Sequence, residues 1–253
     1  MGKDKLRKFK ENETFHCLIQ PTTEEVLNTD HPLKGSWGEK IFGNNNPIVV
    51  ELGCGKGEYT IDLGLRNPSC NYIGVDIKGA RLWKGAKYAH EHKLPNVAFL
   101  RTRIEFIESL FAKDEISELW ITFADPQIGR EKKRLTSPLF LNRYRNFLKP
   151  GGIVHLKTDS RYLHEYSHAI AEQNNLNILA CATDIYGADR EGLYNSPMMS
   201  VCGQKAIEAL FEVQTFYESQ YLAKGIDITY LSFLIDHEGD YISPDWEEDK
   251  WER

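Results

Sequence analysis

The sequence predicts a doubly wound α/β fold with a mainly parallel sheet. Three observations carry that reading. Short apolar, β-branched runs alternate with helix-length segments, a triple-glycine turn follows the first run, and an acid closes the second. The chain has 253 residues, enough for one α/β core with additions, and its 41% hydrophobic and 27% charged residues exclude wholesale disorder and collagen-like or coiled-coil classes.

Taken in order, residues 1–45 are polar and poorly periodic and run into the turn signal GNNN, so they read as an N-terminal extension. A main domain over 46–236 then opens on PIVVEL (47–52), followed by NYIGVDI (71–77), NVAFL (96–100), SELWITF (117–123) and GIVHLK (152–157) as strands. Between them, residues 78–93 place Ala80, Trp83 and Ala86 at helical spacing, with Arg81, Lys84 and Lys87 displaced around the axis and Pro95 just beyond. Ser160 to Asn174 reads as a second helix, and a single long helix runs from Gly203 to a C-terminal cap at Gly225. IDITYLSFLI (226–235) is strongly β-prone, and residues 237–253 form an acidic tail.

No run approaches the ~18 consecutive apolar residues of a membrane helix, and MGKDKLRKFKENETF lacks the apolar core of a signal peptide. The expectation is a cytoplasmic protein with no membrane partner. Five widely spaced cysteines without a C-x-x-C pair suggest neither a disulfide framework nor a zinc cage. His164 and His168 stand four apart on a predicted helix, but no third ligand motif accompanies them, so no metal is expected.

Net charge is −6, and the last 18 residues alone hold eight carboxylates against one lysine and one arginine. The remaining body is therefore neutral. Within it KDKLRKFK carries five basic residues against one acid, and REKKR (130–134) carries four against one. Such patches can hold phosphates, since screening confines each charge to about 8–10 Å. Taken singly, each reads better as an ordinary solvated face.

The most informative stretch is VVELGCGKGEYT (49–60), a buried-type strand that ends in Glu51 and opens into Gly53-x-Gly55-x-Gly57. The dinucleotide fingerprint fails because Glu58 stands where its last glycine belongs, and the P-loop pattern is absent. A pyrophosphate would also meet Glu58 at the helix start. An acid before this loop suits a ligand without phosphates but with a cationic or zwitterionic tail, such as S-adenosylmethionine. Asp76, closing the second strand, stands where acids in such sheets reach ribose hydroxyls.

After the fourth strand comes TFADPQ (122–127) with the basic REKKR behind it. The ordered set ELGCGKG, GVDIKGARLWKG, FADPQ with KKR, LKTDSRY and QTFYE resembles the tRNA (guanine-N7-)-methyltransferase family, bacterial type, across residues 47–235. The resemblance implies a Rossmann-like, seven-stranded S-adenosylmethionine-dependent methyltransferase sheet whose last strand is antiparallel. It further implies methylation of guanosine N7 in the tRNA variable loop. Carried over by motif, Glu51, Gly53, Gly55, Asp76 and Arg103 contact the cofactor, and Asp125, which also borders the cofactor, lies between it and guanine as the catalytic carboxylate. Asp159, Thr215, Phe216, Tyr217 and Glu218 contact the nucleoside, and Lys132, Lys133 and Arg134 touch phosphates.

Three positions depart from the family pattern. Ala124 replaces the first proline of F-P-D-P and removes one φ restraint. Gln127 replaces the usual aromatic, ahead of a shorter basic insert. Arg103 stands where a carboxamide or acid normally approaches the adenine, so adenine recognition falls to main chain or to Glu105. Two alternatives stand beside this reading: a methyltransferase with another acceptor and, motivated by these departures, a non-catalytic RNA-binding relative. Trp246 and Trp251 in the acidic tail either dock on the body or mark a partner site.

Overall fold

The computed structural model describes residues 2–236 and 238–247. The chain divides into two compact units, 1–119 and 120–253. The first contains α1 (Gly2–Asn12), β1 (Leu18–Ile19), α2 (Thr23–Val26), β2 (Ile48–Leu52), α3 (Glu58–Arg66), β3 (Asn71–Asp76), α4 (Gly79–Glu91) and β4 (Val97–Arg101). Its strands lie in the order β1-β4-β3-β2, all parallel, with Gly74 paired to both Glu51 and Phe99. Every residue of β2 and β3 is buried, as expected of parallel strands covered on both faces.

The N-terminal residues supply α1 and β1 to this unit. Asn12 Nδ2 donates to Gly79 O at 2.9 Å, and Phe15 and Leu18 join Leu82, Ala86, Val97 and Phe99 in one apolar cluster. The two-residue β1, beside β4, is the addition that makes eight strands among the described residues where seven were expected. The Phe99 ring is fully buried where β-carbons on Gly57, Gly74 and Gly85 would stand 2.4, 2.9 and 2.6 Å from it.

β5 (Ile116–Thr122) runs from the first unit into the second. There follow α5 (Pro138–Tyr144), β6 (Leu148–Thr158), α6 (Arg161–Gln173), β7 (Ile178–Ala182), α7 (Arg190–Tyr194), α8 (Pro197–Cys202), α9 (Gln204–Glu212), α10 (Phe216–Leu222) and β8 (Thr229–Ile235). β8 is antiparallel to both β6 and β7, with Lys157 paired to Tyr230 and Cys181 to Leu231. The last strand therefore has the expected sense.

The long helix expected from Gly203 to Gly225 is two helices, α9 and α10. Val213 and Thr215 are extended, and Lys157 Nζ donates to Leu210 O at 2.8 Å and to Val213 O at 3.1 Å. Lysine thus takes up a carbonyl that a continuing helix would bond to an amide, and Thr215 starts the next helix as its N-cap.

Past β8, residues 238–247 return to the second unit. Ile242 exchanges two 2.9 Å hydrogen bonds with the Asn174 side chain, and Tyr241 is buried beneath the Arg145 guanidinium. Trp251 lies outside the described residues.

Candidate functional site

In the first unit the glycine loop joins β2 to α3. Glu51 is buried at the carboxyl end of β2, where its Oε2 accepts from the Thr60 amide at 2.9 Å and from the Thr60 hydroxyl. This fixes the first turn of α3 to the strand. Gly53, Gly55 and Gly57 have φ of 75°, 58° and 73°, the left-handed region that side chains disfavour. A β-carbon on Gly53 or Gly55 would meet nothing closer than 4.0 Å. These two leave an open cradle over the loop, whereas Gly57 is held by its packing on Phe99.

Asp76 ties the loop to the end of β3. Its Oδ2 accepts from Gly55 N at 3.0 Å and its Oδ1 from Lys78 N at 2.7 Å, with acceptor capacity left for a ligand hydroxyl. Cys54 lies between the two acids. Burial, reinforced by Glu51 and Asp76, pushes its thiol far up, so it is a packing residue. Arg103 is exposed, 3.4 Å from Glu105, and its guanidinium stands 5.9 Å from the Phe106 ring centroid.

In the second unit Asp125 is exposed on the turn after β5, and its Oδ1 accepts from Gln127 N at 2.9 Å. Phe123 and Gln127 flank it, each with φ of 50°, a strained conformation for a side-chain-bearing residue. Two anchors hold that strain. Phe123 N donates to Lys157 O at 2.9 Å, and Arg134 grips the other end.

Arg134 does not fit the expected phosphate contact. It is fully buried, and its guanidinium donates to Pro126 O at 2.9 Å, to Gln127 O at 3.2 Å and to the Tyr162 hydroxyl. The guanidinium stands 3.9 Å from the Tyr166 ring centroid. Trp246 closes this cage edge-on, 5.8 Å from Tyr162 and 5.5 Å from Tyr166. The tail tryptophan therefore docks on the body, behind the Asp-Pro turn. Lys132 and Lys133 stay exposed.

Thr215 to Glu218 divide by direction. Phe216 and Tyr217 are 50% and 44% exposed, with rings 5.8 Å apart and edge-on. Thr215 and Glu218 form a reciprocal capping box. Glu218, expected to touch the nucleoside, is instead the buried anchor of the run. Its Oε1 lies 2.7 Å from Lys157 Nζ and accepts from the Tyr186 hydroxyl at 2.8 Å. Burial pulls the Lys157 ammonium below its ordinary range, a shift that Glu218 opposes. Asp159, half-buried two residues on, has its carboxyl pushed up by burial.

Among the described residues no three or more His, Cys, Asp or Glu side chains are grouped to hold a metal ion, and no helix is long and apolar enough to cross a membrane. His164 is buried with Nε2 3.3 Å from Tyr230 O, and His168 lies 3.5 Å from Glu172.

A family profile described as "Putative methyltransferase" matches residues 45–196. The chain is 52% identical over 236 residues to a tRNA (guanine-N(7)-)-methyltransferase of Christiangramia forsetii, covering 92% of this chain and 99% of that protein. The chain belongs to the tRNA (guanine-N7-)-methyltransferase family. A relative of the same name from Bacteroides thetaiotaomicron is 42% identical over 98% of this chain and 92% of its own. Among solved structures, the 16S rRNA methyltransferase KamB aligns with a TM-score of 0.55 at 16% identity, over 81% of this chain and 92% of that one. That likeness shows the methyltransferase fold.

Members of this family use S-adenosylmethionine, and the first unit suits it. The cradle over Gly53 and Gly55 is open, and two carboxylates, Glu51 and Asp76, stand at the carboxyl ends of neighbouring parallel strands. Sequence reasoning about this methyltransferase passed over Lys157, Tyr186, Tyr162 and Tyr166. One signal was readable: a lysine inside the buried strand GIVHLK needs a buried partner.

Proposed function

We propose that the chain methylates N7 of a guanosine in the variable loop of tRNA, working in the cytoplasm. The observation that carries this is the 52% identity to a tRNA (guanine-N(7)-)-methyltransferase over 92% of the chain. Support comes from the second unit, which holds an exposed carboxylate, Asp125, on a braced turn and two exposed rings, Phe216 and Tyr217, on a capped helix.

Bound S-adenosylmethionine supplies an activated methyl on a sulfonium. Guanine N7 offers an in-plane lone pair and no proton at neutral pH, so the protein needs no strong general base; alignment and electrostatics suffice. In this reading Asp76 holds the ribose and Glu51 the amino end of the cofactor. Asp125 favours the positive charge that methylation leaves on the purine and accepts from N1–H and the exocyclic amine, which selects guanine over adenine. Asp159 is a second acid toward the nucleoside, and Tyr217 or Phe216 stacks on a base. Lys132 and Lys133 meet phosphates. Glu218 and Arg134 act through the groups they hold.

The test is transfer of labelled methyl from S-adenosylmethionine to an unmodified tRNA transcript, beside the same transcript made with 7-deazaguanosine. Label in the first alone is the expected result. Equal label in both moves the acceptor atom away from N7, and label in neither overturns the tRNA reading.

A further inference from the structure

Burial removes Arg134 from the phosphate contacts and leaves Arg130, Lys132 and Lys133 as the exposed basic residues of the run after the Asp-Pro turn. A larger set of cations stands on the first unit. Helix α1 carries Lys5, Arg7, Lys8 and Lys10, and α4 with the residue before it carries Lys78, Arg81, Lys84 and Lys87.

The two helices present one field. Arg7 and Lys8 of α1 and Lys87 of α4 all stand about one Trp83 ring, at 5.0, 4.9 and 5.1 Å from its centroid. Lys5 and Arg101, at the end of β4, likewise converge on Phe9 at 5.8 and 4.9 Å. Some of these charges are compensated: Asp4 and Glu11 pair with Arg7, Asp4 with Lys8, Glu58 with Lys84, and Glu91 with Lys87. Lys5, Lys10, Lys78 and Arg81 are exposed and have no carboxylate partner among the described residues.

The field reaches the carboxyl edge of the parallel strands. Lys78 N bonds to Asp76, and Arg101 Nε donates to Ile77 O at 3.4 Å. Its ligand must be polyanionic, and S-adenosylmethionine carries no phosphate. We infer that the α1–α4 face of the first unit is a docking surface for the RNA sugar-phosphate backbone, one that holds tRNA without reading its sequence. The inference rests on tRNA being the substrate. An overall charge of −6 makes the concentration of uncompensated cations on one face a localised attraction rather than a general one.

The test compares the intact protein with a Lys5→Gln, Lys10→Gln, Arg81→Gln triple variant. A control triple, Lys40→Gln, Lys113→Gln, Lys205→Gln, removes the same charge from exposed positions elsewhere. Binding of unmodified tRNA is followed as a function of salt. Methyl transfer and S-adenosylhomocysteine binding are measured alongside. Every phosphate that the protein ceases to neutralise flattens the log K against log salt slope by about 0.7–0.9, so the face variant should show a slope shallower by about 2–3 units and a KM for tRNA raised about tenfold or more. Its kcat at saturating tRNA and its S-adenosylhomocysteine affinity should match wild type, and the control triple should keep the wild-type slope.

A face variant that keeps the wild-type slope and KM, or a control whose slope flattens as much, overturns the inference. So does a face that holds the chain on anionic lipid vesicles while leaving the tRNA slope unchanged. If the slope depends on the face but no methyl reaches tRNA, docking stands and the functional reading falls. If methyl transfer is normal and the slope ignores the face, the reverse holds.

Discussion

The Lys157 ammonium and the Glu218 carboxylate meet at 2.7 Å with neither side chain exposed. Lys157 also bonds the carbonyls of Leu210 in α9 and of Val213 just past it, and Glu218 caps α10, so one ion pair sets the break that turns Phe216 and Tyr217 outward. Glu218→Gln should leave the ammonium buried without a counter-charge and cost about 3–5 kcal/mol in urea unfolding. The double variant Lys157→Met, Glu218→Leu should recover most of that stability while methyl transfer to tRNA stays impaired. Full recovery of both would make the pair a packing feature only.

Asp125 is the exposed acid of the Asp-Pro turn. Its replacement by asparagine keeps the size and removes the charge, so kcat should fall by about 10²–10³-fold. Calorimetric affinity for S-adenosylhomocysteine should not change. Near-normal turnover would show that the charge passed to guanine is stabilised by another group.

Trp246 is linked to that turn through other residues: it packs on Tyr162 and Tyr166, which hold Arg134, which holds Pro126 and Gln127 by their carbonyls. Trp246→Ala should loosen the turn and lower kcat by about 10–100-fold, the cost of misplacing a reacting group by about 1 Å. Trp246→Phe should restore most of the rate, and KM for S-adenosylmethionine should hold steady in both. A loss confined to thermal stability would restrict Trp246 to holding the tail.

The glycines of the loop separate by what surrounds them. Gly53→Ala meets open space and carries only the left-handed backbone cost of about 1–2 kcal/mol, so it should fold and bind S-adenosylhomocysteine poorly. Gly57→Ala drives its methyl to 2.4 Å from Phe99 and should fail to give a cooperative unfolding transition. Equal behaviour of the two variants would contradict the open cradle.

The Asp159 carboxyl titrates above its ordinary value because burial disfavours its charge. Between the ordinary and the raised values the folded chain keeps a proton that the unfolded chain has released, so stability falls as pH rises through that window. Asp159→Asn should therefore melt higher than wild type at neutral pH, with the gap closing below the window. The same variant should raise KM for tRNA. A melting gap that ignores pH would remove burial as the cause.

Much of this was readable in the residues. The buried strands β2 and β3 announce themselves as continuous apolar runs, and three glycines in a strand-to-helix turn state their backbone demand directly. The break between α9 and α10 was hidden because the apolar spacing of KAIEALFEVQTFYESQYL continues through it; Lys157 imposes it from another strand. Arg134 looked like a surface cation in a basic run, and the tyrosines one turn apart on α6, with the Pro126 and Gln127 carbonyls, draw it inside. The two residues of β1 are too few for any alternation to show.

Phe99 occupies space that a side chain on Gly57, Gly74 or Gly85 would need, and these three come from a loop, a strand and a helix. Enlarging any one of them demands a smaller ring, and a smaller ring leaves a void beneath the other two. The four positions thus form one spatial unit, in which a change of size at any member is felt at the other three.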